Sequence, residues 1–235
     1  MLESQIVRSN LPIVVVEAKG NSINDYEKIT IDLKIIDPPS YYQTNQDQAN
    51  VYAGKTGIAL RGSSSQSFPK KAYSFETRFE NGEDKDVSLF GWPEDADYIL
   101  YPSYHEKSLM HNVFAMEIYR AMGFYASRTR FVELIIDNSY QGVYVVMEKI
   151  KRGEGRVDIS KLEPEEVTGD DLTGGYIVKI DKQTGTQNGG WLSNYYSLSS
   201  QPKGIYFQYH YPEGAPPQQR SYIKDYVSSF ESALK

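Results

Sequence analysis

Alternating apolar and polar positions run through the N-terminal part of the chain. They predict strands over residues 11–17 and 29–36, both rich in β-branched side chains. Residues 37–54, with Pro, Asn, Gln and Tyr, read as a long surface loop. Residues 57–61 and 71–79 then predict an antiparallel pair around a Ser-rich turn, and Asn81-Gly82 marks the next turn. The strongest helical pattern covers 106–122. Ser103 and Glu106 form a capping box there, and Gly123 stops the helix. Met110, Val113, Phe114, Ile118 and Ala121 form its apolar stripe. Glu117 falls near the middle of that stripe. A carboxylate in such a place needs a cation or a set of donors, either a lysine or an arginine such as Arg61 or Arg128.

Residues 131–137 and 143–150 predict a hairpin joined by the turn 138–142. Its second strand, Val143-Tyr144-Val145-Val146-Met147-Glu148, is apolar on both faces, which predicts a central strand covered on both sides. The charged stretch 151–171 reads as loop, with Asp158, Asp170 and Asp171 on solvated turns. A strand over 174–181 ends in Asp181, which its strand-end position makes a candidate metal ligand. Residues 183–204 are polar, and a Tyr-rich strand follows over 205–211. The last helix, 219–234, has the apolar face Ile223, Tyr226, Val227, Phe230 and Leu234. An exposed apolar patch is expected around Tyr226, Phe230 and Leu234, because the sequence ends before anything that could cover them. The pattern predicts an α+β fold: a strand-rich, largely antiparallel sheet with a packed central helix.

Composition narrows the function classes. The 235 residues are enough for one large domain or two small ones, and the net charge of −6 supplies no basic field for nucleic acid. Cysteine is absent, which excludes disulfides and thiolate metal sites, and three widely spaced histidines (His105, His111, His210) argue against a histidine metal centre. No apolar run approaches the roughly 20 residues of a membrane-spanning helix. The first residues lack the apolar core of a secretion signal, so the protein is either cytoplasmic or has its export signal outside this sequence.

The candidate chemistry centres on Arg61-Gly62-Ser63-Ser64-Ser65-Gln66-Ser67-Phe68-Pro69-Lys70-Lys71. A glycine and hydroxyl residues ahead of two lysines offer N–H groups, hydroxyls and cations to a polyanion such as a nucleotide's phosphates. A plain solvated turn has the same composition. Lys71 shares a strand face with Tyr73 and Phe75, which favours it over Lys70 as the phosphate contact; both remain candidates. Glu148 stands either against a ribose or lobe-linking donor or as a strand-end carboxylate in water. Arg128 and Arg130, at a strand entry, read as structural ion-pair partners. Twenty tyrosines also suit a secreted glycan- or protein-binding module with exposed stacking platforms.

Four ordered blocks carry a family resemblance. They are Arg61-Gly62-x-Ser64-Ser65 with Phe68-Pro69-Lys70-Lys71; Lys107-Ser108-Leu109-Met110-x-Asn112 with Glu117; Gly142-Val143-Tyr144-x-x-Met147-Glu148; and Gly174-Gly175-Tyr176-Ile177-x-Lys179-x-Asp181. Over nearly the whole chain the sequence resembles the CotH family of atypical protein kinases, named for a spore-coat protein and widespread among secreted bacterial proteins. The resemblance implies the N-lobe and hinge of a kinase-like fold over about 1–150 and the start of a second lobe over 151–235. It implies ATP and Mg²⁺ as cofactors, Ser/Thr of secreted or surface proteins as substrate, and an extracellular or cell-surface location. It assigns Arg61, Ser64, Ser65, Lys70 and Lys71 to the phosphates, Glu117 to a phosphate-binding lysine, and Met147 and Glu148 to the hinge that holds adenine. Two departures stand out. His111 occupies a position where relatives have arginine, and the Asp…Asn and Trp-Asp-x-Asp segments that supply the general base and Mg²⁺ ligands are missing: Trp92 precedes Pro93 and Trp191 precedes Leu192. The expectation is therefore the ATP-binding portion of a kinase, inactive alone.

Overall fold

The structure, a computed structural model, describes residues 7–37, 42–181, 189–195 and 205–234. In chain order its strands are β1 (Arg8–Ser9), β2 (Ile13–Glu17), β3 (Ile29–Ile36), β4 (Gln43–Thr44), β5 (Tyr52–Arg61), β6 (Ala72–Arg78), β7 (Asp97–Tyr101), β8 (Thr129–Ile136), β9 (Ser139–Glu148), β10 (Ile177–Ile180), β11 (Gly190–Leu192) and β12 (Tyr206–Tyr211). The helices are α1 (His111–Ala121) and α2 (Pro217–Ala233). Two compact units divide the chain, residues 1–150 and 151–235.

In the first unit seven strands close into a barrel in the order β2-β3-β5-β6-β7-β9-β8. All neighbours are antiparallel except β2 and β8, which run parallel with Val14 opposite Leu134 and close the ring. The expected, largely antiparallel sheet closes on itself as a barrel. The alternation read from the sequence supplies its interior: Ile31, Leu33 and Ile35 of β3, Tyr73 and Phe75 of β6, Tyr98 and Leu100 of β7, and Tyr144 and Val146 of β9 are all buried. Each such side chain contributes about 1.5–3 kcal/mol on burial. Phe75 stacks on Tyr98 at 5.5 Å between ring centroids. The outward positions of β3 are polar, and Asp32 there holds both Lys19 (2.7 Å) and Lys55 (2.6 Å).

β9 is covered on both faces, as its apolar run predicts. Tyr144 and Val146 face the barrel core, while Val145 and Met147 join Ile99 in a second cluster on which Val113 and Met116 of α1 pack. The helix itself departs from expectation. It starts at His111 and lies on the outside of the barrel, with no fully buried residue. Ser103 does not cap it; Ser103 is buried with a left-handed φ of 46°. Glu106 caps from the preceding turn instead, its carboxylate accepting the His111 N–H at 3.0 Å. That bond and the Ser108 hydroxyl outweigh desolvation and hold the Glu106 carboxyl below its usual range.

The second unit is a three-stranded antiparallel sheet, β10-β12-β11, with α2. Trp191 is buried between Phe207 (5.3 Å) and Tyr209 (4.9 Å). In α2, Gln219 is fully buried and its amide donates to the Glu163 and Glu166 carbonyls. Tyr226, Phe230 and Leu234 are 64, 60 and 71 % exposed, as expected of that face. β11 falls within the polar stretch 183–204, most of which lies outside the described residues. No helix among the described residues is long and apolar enough to cross a membrane.

Candidate functional site

β5 ends at Arg61, which stands opposite Ala72 of β6, so the Ser-rich segment is the connection of an antiparallel pair. Gly62 takes φ 103°, and a Cβ there would lie 2.0 Å from the Ser65 hydroxyl, so only glycine fits. The chain then makes a 3₁₀ turn over Ser64–Ser67. The turn is internally braced. Gln66 N–H donates to the Ser63 carbonyl (3.1 Å), Phe68 N–H to Ser65 (3.2 Å), and the Gln66 side chain to the Gly62 carbonyl (2.7 Å). The Lys71 ammonium donates to the Gln66 carbonyl at 2.7 Å and so serves the turn.

Beside this turn lies a pocket of about 300 Å³. Arg61, Ser65 and Lys70 bring polar and cationic groups to it; Tyr101 and Met147 form its barrel wall; Asn112 reaches it from the first turn of α1. Phe68, Tyr104 and His105 add an aromatic flank: Phe68 stacks on Tyr104 at 5.4 Å and meets the edge of His105 at 4.1 Å. No carboxylate lines the pocket. Lys70 donates to the Val143 carbonyl and rests 4.5 Å above the Tyr144 ring. Burial lowers the Lys70 pKa, partly opposed by Glu133. Crowding by the wall likewise lowers that of Arg61, although its side chain stays solvent-accessible and the guanidinium remains charged. The described ion pairs use neither Arg61 nor Lys70.

The structure therefore brings together Arg61, Ser65, Lys70 and Met147 of the residues singled out in the sequence. Ser64 is exposed outside the lining. Of the two lysines, Lys70 lines the pocket and Lys71 does not. The parity that Lys71 shares with Tyr73 and Phe75 is that of the barrel interior, whereas Lys70 shares that of Ala72, which lines the pocket. Glu117 also departs from expectation: it is exposed and pairs with Arg120 one turn along its own helix. The apolar stripe that seemed to bury it points outward, with Met110, Phe114 and Ile118 at 52, 61 and 45 % exposure. Glu148 is buried, not solvated and not in the pocket. Its carboxylate accepts from the Arg128 guanidinium (2.8 Å) and the Arg128 backbone N–H (2.9 Å). Arg128 and Arg130 are ion-pair residues, Arg130 with Asp37 at 3.2 Å. Asp181 is exposed with Lys179 at 3.7 Å, and no group of three His, Asp or Glu suited to a metal occurs among the described residues.

Phe68, Tyr101, Tyr104, His105 and Asn112 were not read as site residues. The signal was the clustering of aromatics in Tyr101-Pro102-Ser103-Tyr104-His105 just before a helix.

No curated protein matches the chain. A protein-family profile described as CotH kinase protein matches residues 58–233, which include the turn, the pocket walls, α1 and the hairpin. With most of its length covered by that match, the chain belongs to the CotH kinase protein family.

Proposed function

We propose that the pocket beside the Ser64–Ser67 turn binds the phosphates of ATP, as the nucleotide-holding part of a phosphotransferase acting on Ser or Thr of secreted or surface proteins. The observation that carries this reading is the pair Arg61 and Lys70, two cations on one pocket without a carboxylate partner among the described residues. Neither cation touches a described carboxylate, Glu133 acting on Lys70 only through space, so this concave, half-dry site favours an anion. The braced turn keeps Ser65 in place, and the flank of Phe68, Tyr104 and His105 offers π-faces of the kind a base stacks on. Bound ATP supplies the phosphoryl group; Arg61 and Lys70 neutralise and orient the phosphates. Mg²⁺ does not fit this lining, which has no carboxylate, and no step is assigned to it.

The binding-module reading needs a continuous row of exposed rings. The most exposed aromatic residues come instead from separate elements: Tyr26 from the connection between β2 and β3, Phe114 from α1, and Tyr226 and Phe230 from α2.

Calorimetric titration with ATP, with and without Mg²⁺, tests the proposal. Arg61→Ala and Lys70→Ala should each weaken binding about 10- to 100-fold, the worth of a charge-assisted hydrogen bond. Lys71→Ala should weaken it less, acting only through the turn. No binding to the parent chain, or equal affinity in the Lys70 variant, would overturn the assignment.

A further inference from the structure

Lys70 differs from the other described lysines in chemical situation. Lys19, Lys28, Lys55, Lys149, Lys161 and Lys179 are each paired with a carboxylate. Lys107 is exposed in water. Lys70 alone combines partial burial, a carbonyl partner and a place on a pocket that also presents an arginine.

We propose that Lys70 is an acylation site for acyl phosphates, the mixed anhydrides of a carboxylic acid and phosphoric acid, whose phosphate docks on Arg61. The proposal rests on the reading that the pocket accepts phosphates, but not on the nucleotide. Burial lowers the Lys70 pKa, which enlarges the fraction of free amine relative to an exposed lysine. A neutral amine still has an N–H for the Val143 carbonyl, so losing the proton does not strand that acceptor.

The step balances within the two reactants. The amine lone pair attacks the acyl carbon and an N–C bond forms. The bond from that carbon to the phosphate oxygen breaks, inorganic phosphate leaves with the electron pair, and the amine proton passes to phosphate or solvent. The product amide is uncharged. It loses its attraction to the Tyr144 ring and leaves Arg61 as the only cation lining the pocket, so acylation would weaken phosphate binding.

Acetyl phosphate is the probe. The chain is incubated with it at mildly alkaline pH, and acetylation at Lys70 and Lys107 is followed by peptide mass spectrometry. Lys70 should be modified faster than Lys107. Arg61→Gln should slow Lys70 about tenfold or more at sub-saturating reagent while leaving Lys107 unchanged. An uncharged acetylating ester should lose the dependence on Arg61. Equal rates at the two lysines, or no effect of Arg61→Gln, would overturn the proposal. Labelling of Lys70 that persists alongside failed ATP binding would support this site and sink the nucleotide reading. ATP binding with Lys70 unlabelled would sink acylation alone.

Discussion

Arg128→Ala should destabilise the barrel by about 3–5 kcal/mol, the scale of breaking a buried ion pair from one side. Glu148 has a fully buried side chain, and the Arg128 guanidinium at 2.8 Å faces it from the start of β8. The same carboxylate accepts the backbone N–H of residue 128, which the substitution retains. Alanine therefore removes the Arg128 charge and leaves that N–H in place, so the loss is mainly electrostatic. Adding Glu148→Gln should recover part of it, because a neutral amide needs no counter-charge and its oxygen still accepts that N–H. Urea titration of the parent, single and double variants measures both effects. A loss below about 1 kcal/mol in Arg128→Ala, the range of an exposed pair, would mean that the Arg128–Glu148 contact does not hold β8 against β9 as the geometry has it.

Tyr144→Ala should cost a similar amount, about 3–5 kcal/mol, since a large ring leaves a cavity in a close-packed interior. Tyr144 is 1 % exposed and lies 6.4 Å from the ring of Tyr73. It also serves the pocket from beneath. Its hydroxyl donates to the Lys71 carbonyl at 2.9 Å, and its ring face lies under the Lys70 ammonium. Burial, with Tyr73 adding to it, pushes the hydroxyl pKa up, so the group remains a donor at physiological pH. Tyr144→Phe should cost only about 0.5–1.5 kcal/mol, the loss of one hydrogen bond, and should leave ATP affinity close to that of the parent. If phenylalanine instead abolished ATP binding, the hydroxyl's hold on Lys71 would be the determinant and the ring secondary.

The strands were legible because side chains alternate with period two and the barrel has an inside. β3 was read to the residue, and the two faces of β9 were apparent from its unbroken apolar run. Closure of the ring was not legible. It depends on β2 meeting β8, residues far apart in sequence, and no local pattern encodes which strands become neighbours. α1 was misread for a different reason. Periodicity marks an apolar face without saying what the face meets; here Val113 and Met116 touch the barrel while Met110, Phe114 and Ile118 do not. The error over Glu117 followed from it, and the nearby Arg120 satisfies the carboxylate. In the pocket the turn and Lys70 were visible because glycine, hydroxyls and cations cluster within a dozen residues. The opposite wall was not, because Tyr101 reaches it from the end of β7, and Tyr104 and His105 from the connection that follows.

A ring of strands has neither a first nor a last member. The barrel of the first unit consequently presents no unpaired row of backbone N–H and C=O groups along its seven strands. An extended peptide cannot join it by adding a strand, and recognition by this surface must rest on side chains. The sheet of the second unit differs, since β10 and β11 each have a strand on one side only. Among the described residues, a partner held through main-chain pairing would therefore be sought at Ile177–Ile180 or Gly190–Leu192, or at the short pair Arg8–Ser9 and Gln43–Thr44 of the first unit.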